Sequence, residues 1–266
     1  MLTLTLTSLQ HIPFIRHGDN LADIIVDALQ KNHIALEDND ILVIAQKIVS
    51  KAEGRTVNLA DITPSRRASE LAGKTGKDAR LIELILQESR EVLRTRAGTI
   101  IVEHKLGFVC ANAGIDHSNV SSPLPEGEAA EGVGVKAAEW VLLLPADPDR
   151  SAEIIRQSIQ SETGKRVGIL IIDSHGRAWR NGTVGAAIGI AGLPGLQDLR
   201  GKPDLFGSTL QITQVGVADE LAAAASLTMG QAAEGTPVVH VRGFPYPLRE
   251  ASLQELLRPR EQDLFR

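Results

Sequence analysis

Two stretches of the sequence place oxygen-bearing side chains where they can hold a divalent metal ion. In the first, GILIIDSHGR (residues 168–177), Asp173 and Ser174 follow an apolar run typical of a buried strand. A rigid strand end can present such side chains to a cleft, and carboxylate and hydroxyl oxygens are ligands for hard cations. The same residues also fit a polar turn in which Asp173 bonds its own backbone.

The second stretch is NAGIDHSN, which carries Asn112, Asp116, Ser118 and Asn119 within eight residues. Asx turns explain one or two of these residues, and a metal or ligand site is an equally favoured interpretation. Acids from two distant loops can share a pair of cations, as phosphoryl-transfer sites often require. The neighbouring histidines, His117 and His175, are more typical of structural or surface positions than of catalysis.

Basic residues and a loop of small residues indicate a phosphate-binding site. Lys47, Lys51 and Arg55 follow the predicted strand of DILVIA (residues 40–45), and charged donors at a strand end suit phosphates. A solvated surface is the alternative for any one of them. The stretch MGQAAEGT (229–236) lets backbone N–H groups approach an anion, although it also fits a helix C-cap and loop.

Several common site motifs are absent from the sequence. There is no P-loop, because GKTGK at 73–77 is too short, and no G-x-G-x-x-G follows a strand. No C-x-x-C, H-E-x-x-H or G-x-S-x-G motif occurs. A nucleotide, if bound, must therefore be held without the common loops. For the two tryptophans, Trp140 and Trp179, core packing is favoured over stacking on a ligand ring.

Composition limits the class of protein. The chain has 266 residues, a net charge of −5, 43% hydrophobic and 23% charged residues, which predicts one large domain or two small ones and no nucleic-acid partner. No apolar run is long enough to span a membrane, and the N-terminus lacks the pattern of a signal peptide. The single cysteine, Cys110, excludes an intramolecular disulfide. We therefore expect a cytoplasmic protein.

Apolar patterning predicts an α+β fold, because strands and helices mix without a regular βαβ rhythm. The predicted strands are an N-terminal one in MLTLTLTS, then 40–45, a hairpin around 105–107, 166–172, one in LQITQVGV and TPVVHVRGF. The predicted helices lie in ITPSRRASELA, KDARLIELILQESREVL, DPDRSAEIIRQSIQSET, ADELAAAASLTMG and ASLQELLRPREQDLF. Thr63 is the predicted N-cap of the first helix. For the third helix, Asp149 or Ser151 is the predicted N-cap and Gly164 the predicted C-cap. Residues 121–138 predict a surface loop.

Six ordered motifs resemble the coenzyme F420-0:L-glutamate ligase family, also called the F420 gamma-glutamyl ligases, from about residue 10 to about residue 250. They are QKIVSKAEGR (46–55), CANAGIDHSN (110–119), LLLPADPDRSA (142–152), IIDSHGRAWRNGTVGAAIGIAG (171–192), GVADELAAAASLTMGQ (216–231) and VVHVRGF (238–244).

The resemblance implies a ligase. The family joins L-glutamate to the lactyl carboxylate of the deazaflavin precursor, then adds further glutamates by γ-linkage, with GTP converted to GDP and phosphate. It implies an acyl-phosphate intermediate, two divalent ions (Mn²⁺ or Mg²⁺) and K⁺. The phosphoryl step gathers negative charge, which metals and lysines offset.

The resemblance also implies the site residues. Asp116, Asp173 and Lys51 become the catalytic residues, and the metal ligands become Asp116, Asp173, Ser174 and Gln231. The expected nucleotide contacts are Ile12, Pro13, Phe14, Ile15, Gln46, Lys47, Lys51, Asn119, Met229, Gly230, Gln231, Ala232, Ala233, Glu234, Gly235 and Thr236. Whether Arg177 and Arg180 face the phosphates or the acidic substrate stays open.

This sequence departs from the family at two ligands: Ser174 stands where Thr is usual, and Gln231 where relatives can have Glu. An amide is the weaker ligand, which weakens the case for a second metal. The family fold implies an unusual mixed architecture that forms an intertwined homodimer, in which the glycines of 182–195 are expected to allow close backbone packing. We expect one domain over 1–266, open to division into two subdomains, without a C-terminal nitroreductase-like domain. The alternatives are an amide ligase for another acceptor and a nucleotide-binding regulator without turnover.

Overall fold

A computed structural model of the chain describes residues 3–117, 120 and 139–264. The predicted loop at 121–138 and the expected nucleotide contact Asn119 lie outside the described residues. The α-helices are α1 Leu21–Lys31, α2 Gln46–Ala52, α3 Arg66–Thr75, α4 Ala79–Gln87, α5 Pro148–Thr163 and α6 Val217–Met229. The strands are β1 Thr5–Ser8, β2 Ile41–Ala45, β3 Thr56–Asn58, β4 Ser89–Arg96, β5 Thr99–His104, β6 Val109–Ala111, β7 Trp140–Leu142, β8 Gly168–Arg177, β9 Arg180–Ala191, β10 Gln197–Asp198, β11 Gln214–Val215 and β12 Val238–Arg242.

The main sheet has five strands in the order β1-β12-β2-β8-β9. Only β2 and β8 run parallel, and the other neighbours are antiparallel. This mixture of helices with mostly antiparallel sheets agrees with the predicted α+β class.

The central part of the main sheet is buried on both faces, because β2 and the first half of β8, residues 168–172, carry no polar side chain. Leu42 and Ile44 of β2 face a core formed with α1 and α5, whereas Ile41 and Val43 face a second core formed with α6. Residues of a strand alternate between the faces of a sheet, so the two cores are separated by β2 and β8. A third core joins α3 and α4 to the sheet of β4, β5 and β6.

Two glycines of β9 let helices pack closely on the sheet. A Cβ at Gly185 would lie 2.3 Å from the carbonyl oxygen of Ala222 in α6, and a Cβ at Gly189 would lie 2.6 Å from Pro148 in α5. These glycines therefore serve close packing within the chain.

A buried ion network fixes the strands at the end of the sheet where β2 begins. Asp40 is 1% exposed. Arg242 of β12 donates to both its carboxylate oxygens at 2.9 and 2.7 Å, and Nε2 of His240 lies 2.8 Å from its Oδ2. Burial acts to raise the pKa of Asp40, but these hydrogen bonds outweigh it and hold the pKa well below its usual range.

The structure corrects several predicted elements. The helix predicted in 251–265 is absent from its described part, which has only the short 3-10 turns Leu253–Glu255 and Arg260–Gln262. Pro259 breaks helical bonding there, and Asp149 accepts from the backbone N–H of Leu253. The α3 helix is capped by Ser65 rather than Thr63, and α5 by Asp147.

Two predicted elements also differ in extent. The helix predicted across 77–93 ends at Gln87, where β4 takes over. The strand predicted at 166–172 continues to Arg177, because β9 pairs with its polar half. No described helix is long and apolar enough to cross a membrane.

Candidate active site

Four of the segments that carry candidate residues meet at one end of the main sheet. Ala45, the last residue of β2, pairs with Ile172 of β8 and donates its N–H to the carbonyl of Pro237 at 2.8 Å. Leu9, just after β1, donates to the carbonyl of Val238 at 2.8 Å. Four candidate segments therefore lie next to one another. Three of them begin at residues 10, 46 and 173, and the fourth is the loop that ends at residue 236.

The α2 helix begins where β2 ends, and it brings the two lysines to this end of the sheet. Lys47 and Lys51 are four residues apart and share one helix face. Burial lowers the pKa of Lys51, with the charge of Lys47 adding to the effect and Asp116 opposing it. A partly buried lysine beside a second lysine favours an anionic ligand, because an anion relieves both the burial and the repulsion.

Asp116 is held against α2 by main-chain and side-chain contacts. Its N–H and carbonyl pair with Leu142 at 2.9 Å each. Its Oδ2 accepts from Nε2 of Gln46 at 3.1 Å and lies 3.3 Å from Nζ of Lys47. Gln46 is itself buried and fixed by a 2.8 Å hydrogen bond from Ser50. Burial raises the pKa of Asp116, Lys47 opposes this, and the nearby charge of Asp173 adds to it.

Asp173 lies on β8 one position beyond the residue that pairs with the end of β2. Its Oδ2 is 3.1 Å from Nε2 of His175, which has no hydrogen bond to a described residue. The ring of Phe108 packs against His175 with a centroid distance of 5.3 Å. Burial, with the charge of Asp173, raises the pKa of Cys110 to about 12. The thiol is thus protonated near neutral pH, so it is not suited to act as a nucleophile.

Ser174 and Gln231 form a second pair on the opposite face of β8. Ser174 donates to Oε1 of Gln231 at 2.8 Å, and Nε2 of Gln231 donates to Ser226 of α6 at 2.8 Å. Ile171 faces the α5 core and Ile172 the α6 core, so Asp173 and Ser174 continue this alternation. The four expected metal ligands are thus two pairs, one on each side of the strand. Sequence reasoning missed Ser226, whose signal is its place in the last turn of a helix before Gln231.

The loop from Met229 to Thr236 already holds an anionic side chain. Glu234 accepts from the N–H of Ala232 at 2.8 Å, and hydrogen bonds from backbone N–H groups lower its pKa. Gly230, with φ of 74°, lets this carboxylate lie against the main chain. Thr236 closes the loop by donating to the carbonyl of Met229 at 3.0 Å. The backbone of this loop therefore has the form of an anion-binding concavity.

The expected nucleotide contacts at residues 12–15 differ in how far they are exposed. Ile12 and Ile15 pack on the core with α1, with Ile15 7% exposed, whereas Phe14 is 95% exposed. Pro13 is also exposed. Of these four expected nucleotide contacts, Pro13 and Phe14 are exposed, Ile12 is partly buried and Ile15 is buried.

Carboxylate, hydroxyl and amide oxygens are donors that suit Mg²⁺ or Mn²⁺. Within the described ranges, no three histidine, cysteine or acidic side chains group as a metal cluster. Two carboxylates nevertheless suffice for Mg²⁺, which commonly takes one or two from the protein and completes its shell with water and phosphate oxygens. The residues present fit such an ion if a phosphate compound binds with it.

Comparison with known proteins places nearly the whole chain in one group. Residues 10–243 match the family described as F420-0:Gamma-glutamyl ligase. A protein of Methanothermobacter thermautotrophicus named coenzyme F420:L-glutamate ligase is 46% identical over 99% of both chains. Proteins of the same name are 43% identical in Methanocaldococcus jannaschii, over 96% of this chain and 94% of that protein, and in Archaeoglobus fulgidus, over 96% and 93%.

Proposed function

Because this chain belongs to the F420-0:gamma-glutamyl ligase family, we propose that it joins L-glutamate to coenzyme F420-0 by an amide bond and then adds further glutamates by γ-linkage. The observation that carries the proposal is the meeting of Asp116, Asp173, Lys47 and Lys51 at one end of the main sheet. Two carboxylates beside two lysines suit a reaction that moves a phosphoryl group.

The proposed reaction uses GTP in two steps. An oxygen of the acceptor carboxylate attacks the γ-phosphorus, and GDP leaves, which gives an acyl phosphate. The glutamate amine then attacks the acyl carbon, phosphate leaves, and the amine loses a proton. Lys47 and Lys51 would offset the charge of the phosphates, and the backbone of 229–236 would hold an oxyanion in place of the Glu234 carboxylate.

Asp116 and Asp173, with Ser174 and Gln231, would hold Mn²⁺ or Mg²⁺. When bound, these ions supply positive charge that stabilises the transferring phosphoryl group. The protein residues orient the donors, since Gln46 and the Leu142 main chain fix Asp116 and His175 lies against Asp173. We further propose K⁺ as an activating ion, which replacement of K⁺ by Na⁺ in the assay would check.

We also propose a homodimer. The segment between β10 and β11, residues 199–213, exposes large apolar side chains: the exposed fraction is 93% for Leu205, 90% for Phe206 and 87% for Ile212. Exposed apolar groups of this kind favour a protein contact. Sedimentation of the wild type and of Phe206→Ser would check this, with the variant shifted towards monomer.

The deciding experiment is a mass-spectrometric assay with the glutamate-free deazaflavin precursor, L-glutamate, GTP and Mn²⁺. We expect glutamate-dependent product with an equal release of GDP, and a ladder of masses if several glutamates are added. The double variant Asp116→Asn/Asp173→Asn, folded by circular dichroism, should form none. Absence of product from wild type that still binds GTP would favour another acceptor or a regulator without turnover.

A further inference from the structure

The tip of the β8–β9 hairpin carries an aromatic side chain whose position core packing does not explain. Trp179 is 89% exposed, so the prediction that it packs in the core is wrong. Its φ is 63°, in the left-handed region that is unfavourable for a bulky residue. Backbone strain of this kind persists where the surrounding structure holds it, and it clusters at ligand sites.

A cation with an unused donor lies on the same hairpin. Nη1 of Arg177 is buried and has no hydrogen-bond partner within the described part of the chain, while Nη2 donates to the carbonyl of Asn181 at 3.3 Å. A buried guanidinium N–H without an acceptor is unfavourable, and a ligand oxyanion would satisfy it.

Arg177 also lies on the same strand as the proposed reaction site. Asp173, His175 and Arg177 alternate with Ser174 and Gly176, and so share one face of β8. Four residue-to-residue steps along the strand separate Asp173 from Arg177 by about 13 Å. His175 lies between them, packed by Phe108, with its Nε2 3.1 Å from Oδ2 of Asp173.

We propose that this hairpin tip recognises the planar ring of the deazaflavin substrate: Trp179 stacks on the ring, and Arg177 binds an anionic oxygen of the same molecule. The proposal rests on the proposed function and extends it. A ring at the tip and a reacting carboxylate beside Asp173 require an elongated substrate, which a ring compound with an acid on its side chain provides. Aromatic stacking and a guanidinium are suited to a planar anion.

The test measures substrate affinity in variants. Trp179→Ala and Arg177→Ala should each raise the KM for the deazaflavin precursor about tenfold or more, with GTP affinity unchanged. Trp179→Phe, which keeps a ring, and Arg177→Lys, which keeps the charge, should recover part of the loss. Arg66→Ala is the matched control, because Arg66 pairs with Glu70 within α3 and is 94% exposed.

A binding measurement provides a readout besides activity. The chain has two tryptophans, so titration of Trp140→Phe with the deazaflavin precursor, without GTP or metal, reports on Trp179 alone. We expect its fluorescence to be quenched, and no saturable quenching would overturn the proposal. An unchanged KM in Trp179→Ala and Arg177→Ala would also overturn the proposal. If the KM is unchanged but the variants become monomeric, these residues form a contact between two copies of the chain instead. If wild type forms no glutamate-dependent product, the proposed function fails; if wild type is active and the variants match it, only this inference fails.

Discussion

Nζ of Lys47 lies 3.3 Å from Oδ2 of Asp116. A residue expected to meet phosphate is thus paired with one expected to bind metal, and Gln46 donates to the same oxygen. Without ligands, the two charges partly satisfy each other. Binding of a metal with a nucleotide would give each a stronger partner, so the two ligands should bind cooperatively.

Asp116→Asn should separate stability from activity. Burial raises the pKa of Asp116, so its charged form is unfavourable in the metal-free protein. That penalty is absent below the unfolded-state pKa of about 4, grows as pH rises to the folded value, and is complete above it. We expect the metal-free variant to melt at or above the wild-type temperature at pH 7, with the difference vanishing near pH 4. Calorimetric melting across pH would measure it.

Added Mn²⁺ with GTP should then stabilise the wild type but not Asp116→Asn, and the variant should have no ligase activity. A variant that melts well below the wild type at pH 7 would show that the contacts of Asp116 with Lys47 and Gln46 outweigh the burial of its charge.

Lys51→Ala should weaken GTP binding about tenfold, a loss of about 1.4 kcal/mol, with little change in melting temperature. Removing a partly buried charge beside Lys47 relieves repulsion, which offsets the lost packing. Because burial lowers the pKa of Lys51, its charge, and with it GTP affinity, should fall at a lower alkaline pH than for an exposed lysine. Isothermal titration would measure both effects. Lys31→Ala is the control, since Lys31 pairs with Asp27 on the surface of α1; equal GTP affinity in both variants would remove Lys51 from the site.

Gln231→Glu should lower the Mn²⁺ concentration needed for half-maximal activity several-fold. The amide oxygen of Gln231 already lies 2.8 Å from Ser174 Oγ, and a carboxylate there is the stronger ligand for a hard cation. Gln231→Ala should raise the same concentration. If neither change alters the Mn²⁺ requirement, the Ser174 side of β8 does not bind the metal.

The apolar strands and the well-capped helix α5 could be predicted from the sequence, because local patterning determines them. Gly164 closes α5 as expected, with φ of 71°. The polar half of β8 could not be predicted, since residues 173–177 lack an apolar signal and depend on pairing with distant β9. The helix predicted near the C-terminus is absent for two reasons: Pro259 is a local signal that the sequence shows, whereas the hydrogen bond from the Leu253 N–H to Asp149 depends on a distant residue.

The candidate residues of the site could be named from the sequence, but the sequence did not show which of them lie on the same face of β8. Asp173 and Ser174 are adjacent in sequence, which suggests one ligand set. Because β8 continues past them, they point to opposite faces, Asp173 towards α2 and Ser174 towards α6. Only knowledge of the strand's extent would have separated them.

Gly185→Ala should destabilise the protein by about 1–3 kcal/mol, because an added Cβ would lie 2.3 Å from the carbonyl oxygen of Ala222 and would push α6 away from β9. The same displacement would move Ser226, and with it Gln231. Gly73→Ala is the matched control: Gly73 lies in α3 with nothing within 4 Å of the added Cβ, so the change should stabilise by about 0.5–1 kcal/mol. Urea unfolding of both variants measures the two free energies. A Gly185→Ala protein as stable as wild type would mean that α6 can shift without loss, and that the close approach to β9 does not position the loop at 229–236.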